Sequence, residues 1–346
     1  MNGEMLGQPG TGDCWPPVTI IIPFLNEEAH LSQCLDAVLN QSYPAEQITI
    51  LAVDGGSTDC SRRLVEQRAR LDSRIRVLDN PQRTASAGLN VGLLQAQDEI
   101  IVRVDAHAII APDYVERCVR ILLANPQIGS VGGVFSPAGE TLIGKAIALA
   151  LTSPFSMGWS PSRYTRGPRP VDTVYLGAYR RREIEQVGAF DPRLGANEDY
   201  ELNYRLRRAG FLIWCDPAIR SQTYTRRTLG ELVWQYLRYG FWKAGVALRH
   251  PASVSPRHLA APLFALAVLA SFLVGAVAGE WRPLVGLCGA YILVNGYFST
   301  RKGWPAAGGP AFLIPVVFLI MHSCWAAGFL AGLWPALWRA ARKEKR

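Results

Sequence analysis

The sequence predicts an α/β fold with a mostly parallel sheet, followed by a C-terminal helical membrane region. Three observations carry this expectation. Short β-rich runs alternate with helical ones from Val18 to about Ala124, the rhythm of βαβ units whose sheet is covered on both faces. Charge is concentrated in the first part, where residues 1–258 hold 54 of the 64 charged residues, while 259–335 hold only Glu280, Arg282, Arg301 and Lys302. That charge-poor stretch contains three long apolar runs. A length of 346 residues suits about two domain-sized units.

The elements follow in order. Val18–Ile22 reads as a strand, and Glu27–Asn40 as a helix with Leu31, Cys34, Leu35, Val38 and Leu39 at helical spacing. Ile48–Val53 is the next strand, followed by a helix from Asp59 to Leu71. Ile75–Leu78 is a third strand, ended by Asn80-Pro81, and a helix near Ala85–Gln97 leads into the strand Ile100–Val104. Pro112 sits in the first turn of a helix running to about Ala124. No internal repeat or low-complexity segment interrupts the pattern.

The apolar runs are Leu259–Gly279, Leu284–Phe298 and Ala311–Trp334. The first and third are long enough to cross a hydrocarbon core of ~30 Å, and the middle one is marginal. Just before them, Leu229–Leu248 mixes Leu232, Val233, Tyr236, Leu237, Phe241 and Trp242 with Arg238, Lys243 and nearby Arg249. It reads either as a helix lying along the headgroups or as one packed on the sheet. The expected division is a flexible segment 1–17, an α/β domain 18–227, an amphipathic interfacial region 228–258, membrane helices within 259–335 and a basic tail 336–346. A cytosolic α/β domain and a basic tail held inside need an even number of crossings against three runs, so either Leu284–Phe298 does not fully span or the tail lies outside against its charge.

Composition excludes several classes. Residues 1–258 carry 28 Lys and Arg against 26 Asp and Glu, a near-neutral balance that argues against nucleic-acid binding. The seven cysteines form neither a C-x-x-C pair nor a Cys/His cluster, so no zinc site or disulfide framework is expected. The N-terminus is rich in Gly and Pro without an apolar core, so no signal peptide is expected and the α/β domain should be cytosolic.

In an open parallel sheet, ligands bind beyond the carboxyl ends of the strands. Two strands end on acids there: one at Asp54-Gly55-Gly56-Ser57-Thr58-Asp59, the other at Asp105-Ala106-His107. Asp54 suits hydrogen bonding to a base or sugar, beside glycines that let a ligand approach the backbone, while Asp59 reads as a helix cap. Asp105 and His107, two apart on extended backbone, face one way and suit a divalent cation held against a diphosphate. Glu198 and Asp199 open a helix through Leu202, Leu206 and Ala209. They are either acids favoured by the helix dipole or a general base and its neighbour.

Taken together and in order, Pro23-Phe24-Leu25-Asn26-Glu27, Asp54-Gly55-Gly56-Ser57-Thr58-Asp59, Asp105-Ala106-His107 and Glu198-Asp199-Tyr200 resemble the motifs of family-two inverting glycosyltransferases with a GT-A fold. The resemblance covers about residues 17–250. Val104-Asp105-Ala106-His107, Arg238-Tyr239-Gly240 and the trailing apolar helices are most similar to the bacterial succinoglycan-biosynthesis type of membrane glucosyltransferase. The resemblance implies a catalytic domain at 18–227 with a Rossmann-like sheet. It also implies a nucleotide-diphospho-sugar donor, a UDP-sugar by type, and a divalent cation, Mn²⁺ or Mg²⁺.

By the same resemblance Pro23, Asn26 and Glu27 line the nucleoside pocket, and Asp54 reads the base. Gly55 replaces the usual second acid, and Arg83 flanks the base or a phosphate. Asp105 and His107 occupy the metal motif, where an imidazole in place of a carboxylate relatively favours Mn²⁺. Asp199 is the base and Glu198 its neighbour. Gln235-Tyr236-Leu237-Arg238-Tyr239 resembles a Q-x-x-R-W motif with Tyr for Trp, so Arg238 either neutralises a donor or lipid diphosphate or is one more interfacial cation. The implied acceptor is a polyprenyl-diphosphate-linked saccharide at the bacterial plasma membrane, with other polysaccharide-assembly proteins as further partners. Ile143–Trp159 is read as an acceptor-side amphipathic loop or a helix covering the sheet. A processive polysaccharide synthase and a non-catalytic nucleotide-sugar-binding membrane module are the rival readings.

Overall fold

The computed structural model describes residues 15–158, 160–303 and 309–343. The chain divides into two units, Met1–Ser136 with Pro161–Thr223, and Pro137–Ser160 with Tyr224–Arg346. Residues 137–160, placed within the α/β domain by the sequence, thus fall in the second unit. The expected flexible N-terminal segment lies almost wholly outside the described residues, as do Trp159 and the end of the basic tail.

In the first unit, β1 (Val18–Phe24) is followed by α1 (Leu31–Leu39), β2 (Ile48–Asp54), α2 (Ser61–Leu71), β3 (Ile75–Asp79), α3 (Ala85–Gln95) and β4 (Ile100–Arg103). β5 (Ala108–Ile110), α4 (Tyr114–Ala124) and β6 (Ile128–Ala138) come next, and α5 (Leu142–Leu151) and α6 (Pro154–Met157) intervene as part of the second unit. The chain returns through α7 (Pro161–Tyr164), β7 (Arg169–Pro170), β8 (Tyr175–Arg180), α8 (Arg181–Val187), α9 (Glu198–Arg208) and β9 (Leu212–Tyr224).

The strand order is β3-β2-β1-β4-β8-β6-β9-β5, with β7 paired to β9. β3, β2, β1 and β4 are parallel. β8 then joins β4 antiparallel, and β6 joins β8 antiparallel. Both faces of the parallel part are buried, which explains its nearly continuous apolar strands. Ile20 and Ile22 of β1 pack with Leu31 and Leu35 of α1, Val65 of α2 and Val119 of α4. Ile21, between them, packs on the other face with Leu89 and Leu93 of α3, Ile184 of α8 and Leu202 and Leu206 of α9. α3 lies so close to the sheet that a Cβ on Gly92 would stand 2.5 Å from Ile21 Cγ2.

The first helix begins four residues later than its periodicity predicts. Asn26 has φ +55°, and the amides of Glu27 and Glu28 donate to Ser61 Oγ and Asp59 Oδ2. Side chains of the second βα connection thus hold residues 26–28 as a turn.

In the second unit, α10 (Leu229–Arg249) precedes α11 (Pro256–Ala278), α12 (Arg282–Gly303) and α13 (Ile314–Lys343). Thr228 Oγ1 caps α10 by accepting from Glu231 N, while Glu231 Oε2 accepts from the amide of Arg227, just before the cap. Leu232, Tyr236, Gly240 and Ala244 are buried at four-residue spacing along α10. There α10 meets α13 almost backbone to backbone: a Cβ on Gly240 would come within 2.3 Å of Trp325 O, and one on Gly328 within 2.1 Å of Leu237 O. Ile143–Leu151 is helical, with Ala146, Ile147 and Ala150 in one core with Val317, Phe318 and Met321 of α13. This stretch is therefore a helix of the second unit rather than a loop.

Among the described residues two helices are long and apolar enough to cross a membrane, Pro256–Ala278 and Gly309–Trp334, with mean hydropathy 2.3 and 2.0. The middle run forms a 22-residue helix, longer than its apolar core predicts. It ends on Arg301 and Lys302 and does not meet that standard.

Candidate active site

β1 connects to β2 on one side while β4 lies on its other side, so the crevice beyond the carboxyl ends of β1 and β4 is the sheet's topological switch point. Phe24, Asp54 and Asp79 stand level at the ends of β1, β2 and β3. The predicted residues of the first unit collect in the loops just beyond these ends and at the start of α9.

Pro23, the penultimate residue of β1, is half-buried and opposite Val53. Asn26, in the left-handed region, accepts from Thr58 N at 2.8 Å, and its own amide donates to Ser57 Oγ at 3.1 Å. The first two βα loops are thereby tied together. Asp54 is 1% exposed. Its Oδ1 accepts from Ser57 N and Oγ at 2.9 and 2.7 Å, and Oδ2 faces Arg62 Nη1 at 3.3 Å. Arg62 also pairs with Asp79. Asp54 thus shapes its turn from within.

A side chain at Gly55 would crowd Leu25 Cβ at 3.3 Å and Phe24 O at 3.4 Å, a physical reason for glycine where an acid is usual. Arg83, exposed and at φ +60°, lays its guanidinium over the same loop, 3.3 Å from where a Cβ on Gly56 would be. Asn26, Arg83 and Asn197, the last at φ +65° before Glu198, are three of five non-glycine residues with positive φ among those described. Backbone strain of this kind concentrates at functional sites.

Beyond β4 the acids converge. Arg103, the last residue of the strand, is 6% exposed. Its Nε donates to Asp105 Oδ1 at 2.9 Å, and its Nη2 donates to Glu198 Oε1 at 2.7 Å, across 95 residues of sequence. Burial works against the guanidinium charge, but Asp105, Glu198 and Asp199 hold it protonated. Burial also pushes the Asp105 carboxyl up, yet the charges of Arg103 and His107 outweigh that and keep it below 3.8.

Asp199 goes the other way. Burial first, then repulsion from Glu198, raises its carboxyl to about 6 against the pull of Arg103. A carboxylate raised this far suits a base working near neutrality.

His107 Nδ1 lies 3.2 Å from Glu27 Oε1, which joins the β4 motif to the β1 loop. Among the described residues no group of three or more His, Cys, Asp or Glu is placed to hold a metal. Asp105 and His107 offer a carboxylate and an imidazole as candidate ligands, with Glu27 orienting the ring through Nδ1. A carboxylate–imidazole pair at the switch point fits a cation whose remaining ligands come from a diphosphate. Beneath it the Cys34 thiol, pushed up by burial, donates to Asp105 O at 3.5 Å.

Sequence reasoning missed the supports of this arrangement. Asn90 of α3 clamps the loop before α9, donating to Phe190 O at 2.7 Å and accepting from Phe190 N at 3.0 Å. Ser86 Oγ donates to Leu194 O at 2.8 Å. Arg103 itself was missed, although a cation inside the apolar run Ile100-Ile101-Val102 is a signal, since a buried charge demands partners. Arg238 lies exposed on α10 in the second unit.

Comparison with known proteins fits this geometry. The Glycosyl transferase family 2 profile matches residues 19–185. The succinoglycan biosynthesis protein ExoA of Rhizobium meliloti (strain 1021) is 33% identical over 319 residues, 90% of this chain and 93% of that protein. The chain belongs to glycosyltransferase family 2, and is a glycosyltransferase.

A second family relative is a dolichyl N-acetyl-alpha-D-glucosaminyl phosphate 3-beta-D-2,3-diacetamido-2,3-dideoxy-beta-D-glucuronosyltransferase of Methanococcus voltae. It is 29% identical over 239 residues, 67% of this chain and 74% of that protein. A solved structure of the mannosyltransferase PcManGT from Pyrobaculum calidifontis, in complex with GDP-Man and Mn²⁺, superposes with a TM-score of 0.60. It shares 21% identity and covers 93% of this chain and 88% of that one. This likeness shows the GT-A fold. The family profile spans Asp54 and Asp105 but ends before Glu198 and Asp199.

Proposed function

We propose that the protein is a membrane-anchored inverting glycosyltransferase. It moves a sugar, a glucosyl unit by type, from a UDP-sugar to a hydroxyl of a polyprenyl-diphosphate-linked saccharide in exopolysaccharide or cell-surface glycan assembly. The observation that carries this reading is the meeting of two acidic motifs, Asp105 and Glu198-Asp199, at the switch point, with Asp199 raised to about 6. The similarity to a succinoglycan biosynthesis protein over nearly the whole of both chains supports the glycan class.

The reaction is a single in-line displacement at the anomeric carbon. The Asp199 carboxylate takes the proton of the acceptor hydroxyl as its oxygen bonds to that carbon, and the bond to the nucleoside diphosphate breaks on the opposite face. One displacement inverts the configuration, so an α-linked donor gives a β-linked product. Glu198, held by Arg103, keeps Asp199 basic by repulsion. Asn26, Glu27 and the turn shaped by Asp54 receive the nucleoside, with Arg83 over the glycine loop beside it. Asp105 and His107 hold a divalent cation, Mn²⁺ or Mg²⁺, which when bound offsets charge developing on the diphosphate.

The anchor is the pair of apolar helices, Pro256–Ala278 and Gly309–Trp334. Two crossings leave both ends of this segment on one side, and the basic residues Arg339, Arg342 and Lys343 put that side in the cytoplasm.

The test is transfer from labelled UDP-glucose, with Mn²⁺ or Mg²⁺, into a bacterial lipid extract by purified protein in bilayers. Label in the organic phase that stops after one residue and is lost in Asp199→Asn supports the reading. Label in long water-soluble polymer would replace it with a processive synthase. Saturable UDP binding without transfer from any nucleotide sugar would replace it with a non-catalytic module.

A further inference from the structure

The two acidic motifs are joined by one side chain. Arg103 is buried at the end of a central strand and uses two edges of its guanidinium, Nε for Asp105 at 2.9 Å and Nη2 for Glu198 at 2.7 Å. All three side chains are nearly enclosed, at 7%, 14% and 9% exposure for Arg103, Asp105 and Glu198. Such a pairing is costly to build and more costly to break, because removing the cation leaves buried carboxylates without compensation. Its third nitrogen, Nη1, is buried without a hydrogen-bond partner among the described residues, so the guanidinium is not placed for its own satisfaction.

We infer that Arg103 is a positioning residue that sets the Asp105 carboxylate and the Glu198-Asp199 pair in one mutual geometry, making the donor half and the acceptor half of the site a single rigid unit. The inference rests on the glycosyltransferase reading above and adds to it the residue that aligns its two halves. Asp105 follows a four-residue strand, while Glu198 follows Asn197 in a left-handed conformation. Each motif enters the crevice from its own loop, and the Arg103 fork hydrogen-bonds the two together. A fork is required because only a planar guanidinium offers donors on two edges at fixed angles; an ammonium would keep the charge and lose the spacing.

The experiment compares full-length wild type, Arg103→Met, Arg103→Lys, Glu198→Gln and the Arg103→Met/Glu198→Gln double variant in bilayers. Release of UDP from UDP-glucose is normalised to the UDP-binding fraction measured by calorimetry. The expected result is a kcat loss of about 100-fold in Arg103→Met, the scale of a misplacement near 1 Å, with donor KM changed much less. Arg103→Lys should recover about tenfold of that loss. The double variant should be no more than about threefold below Arg103→Met, because residues acting through one another are not additive. Wild-type kcat per UDP-binding site in Arg103→Met, whatever its thermal stability, would overturn the inference and leave Arg103 a fold-stabilising residue. Fully additive losses in the double variant would also overturn it. If Arg103→Met does not fold, wild-type kcat in Arg103→Lys overturns it instead. A wild type that binds UDP but releases none from any nucleotide sugar defeats the glycosyltransferase reading itself, a distinct outcome.

Discussion

β2 ends on Asp54 and Asp105 follows two residues after the end of β4, at the same edge of the sheet, and the two acids have opposite fates. Asp54 is 1% exposed and satisfied by neighbours three and eight residues away, Ser57 and Arg62. Asp105 is bound by Arg103 two residues before it, and through Arg103 is joined to Glu198 at the start of α9. The first acid builds a turn, and the second faces the crevice as part of a charge network. A strand that runs into Asp therefore announces the binding edge of the sheet without saying which acid meets the ligand. That depends on whether the group bound to the carboxylate is itself tied to a distant element, as Arg103 is to Glu198.

The largest effect that would sharpen this contrast is expected at the far end of the network. Asp199→Asn should lower kcat by about 10²–10⁴-fold, the usual contribution of a general base, while donor binding persists. The same change should raise the melting temperature at pH 7. A carboxyl raised in the folded state contributes stability below pH 3.8 that is lost as pH rises through about 6, so the neutral amide removes a burden present at pH 7. A turnover above one tenth of wild type would remove Asp199 from the role.

Next comes the pair itself. Asp105→Ala should cost about 100-fold or more in kcat, whereas Asp54→Ala should act mainly on donor KM, by about tenfold. Equal kcat losses in the two variants, measured with the same donor, would erase the distinction drawn between them.

The pH profile gives a third, smaller effect. Because Asp199 must be ionised, kcat/KM should be level above pH 7 and fall as pH drops through about 6. In Glu198→Gln the repelling charge is gone, so the acid limb should move to lower pH. A limb that stays in place or moves upward would assign the titration to another group.

The smallest effect belongs to Arg62, whose side chain is 42% exposed while it bridges Asp54, Glu66 and Asp79. The Glu66 and Asp79 pairs are exposed and contribute about 0–1 kcal/mol, and buried Asp54 keeps its two Ser57 hydrogen bonds, so Arg62→Ala should lower the melting temperature by only a few degrees in a thermal scan. A large loss would mean that the Asp54 turn depends on it.

Much of the parallel half was legible because its signals are local. β1, β2, β3 and β4 fall within two residues of the apolar runs that predicted them, and α3 and α4 lie within the predicted helices. The acids and glycines at the strand ends marked the crevice. The antiparallel half was not legible: β8 and β6 gain their place from partners many residues away, such as Ala178 against Val102 and Val131, and a short apolar strand carries no record of its neighbour. Residues 26–30 read as helix from Glu27 onward because periodicity cannot register Ser61 and Asp59 reaching across to their amides. Arg103 was visible as an anomaly and not as a role, since its partner Glu198 becomes apparent only when the chain is folded.

The division into units has a practical consequence for truncation. Because Pro137–Ser160 folds with Tyr224–Arg346, a stop codon placed after the α/β domain would not yield a clean soluble enzyme. The fragment would keep Ala146, Ile147 and Ala150 but lose Val317, Phe318 and Met321, which share their core, and would expose an apolar helix prone to self-association. A water-soluble version requires two excisions: the C-terminal helices, and the excursion between β6 and α7 replaced by a short polar linker.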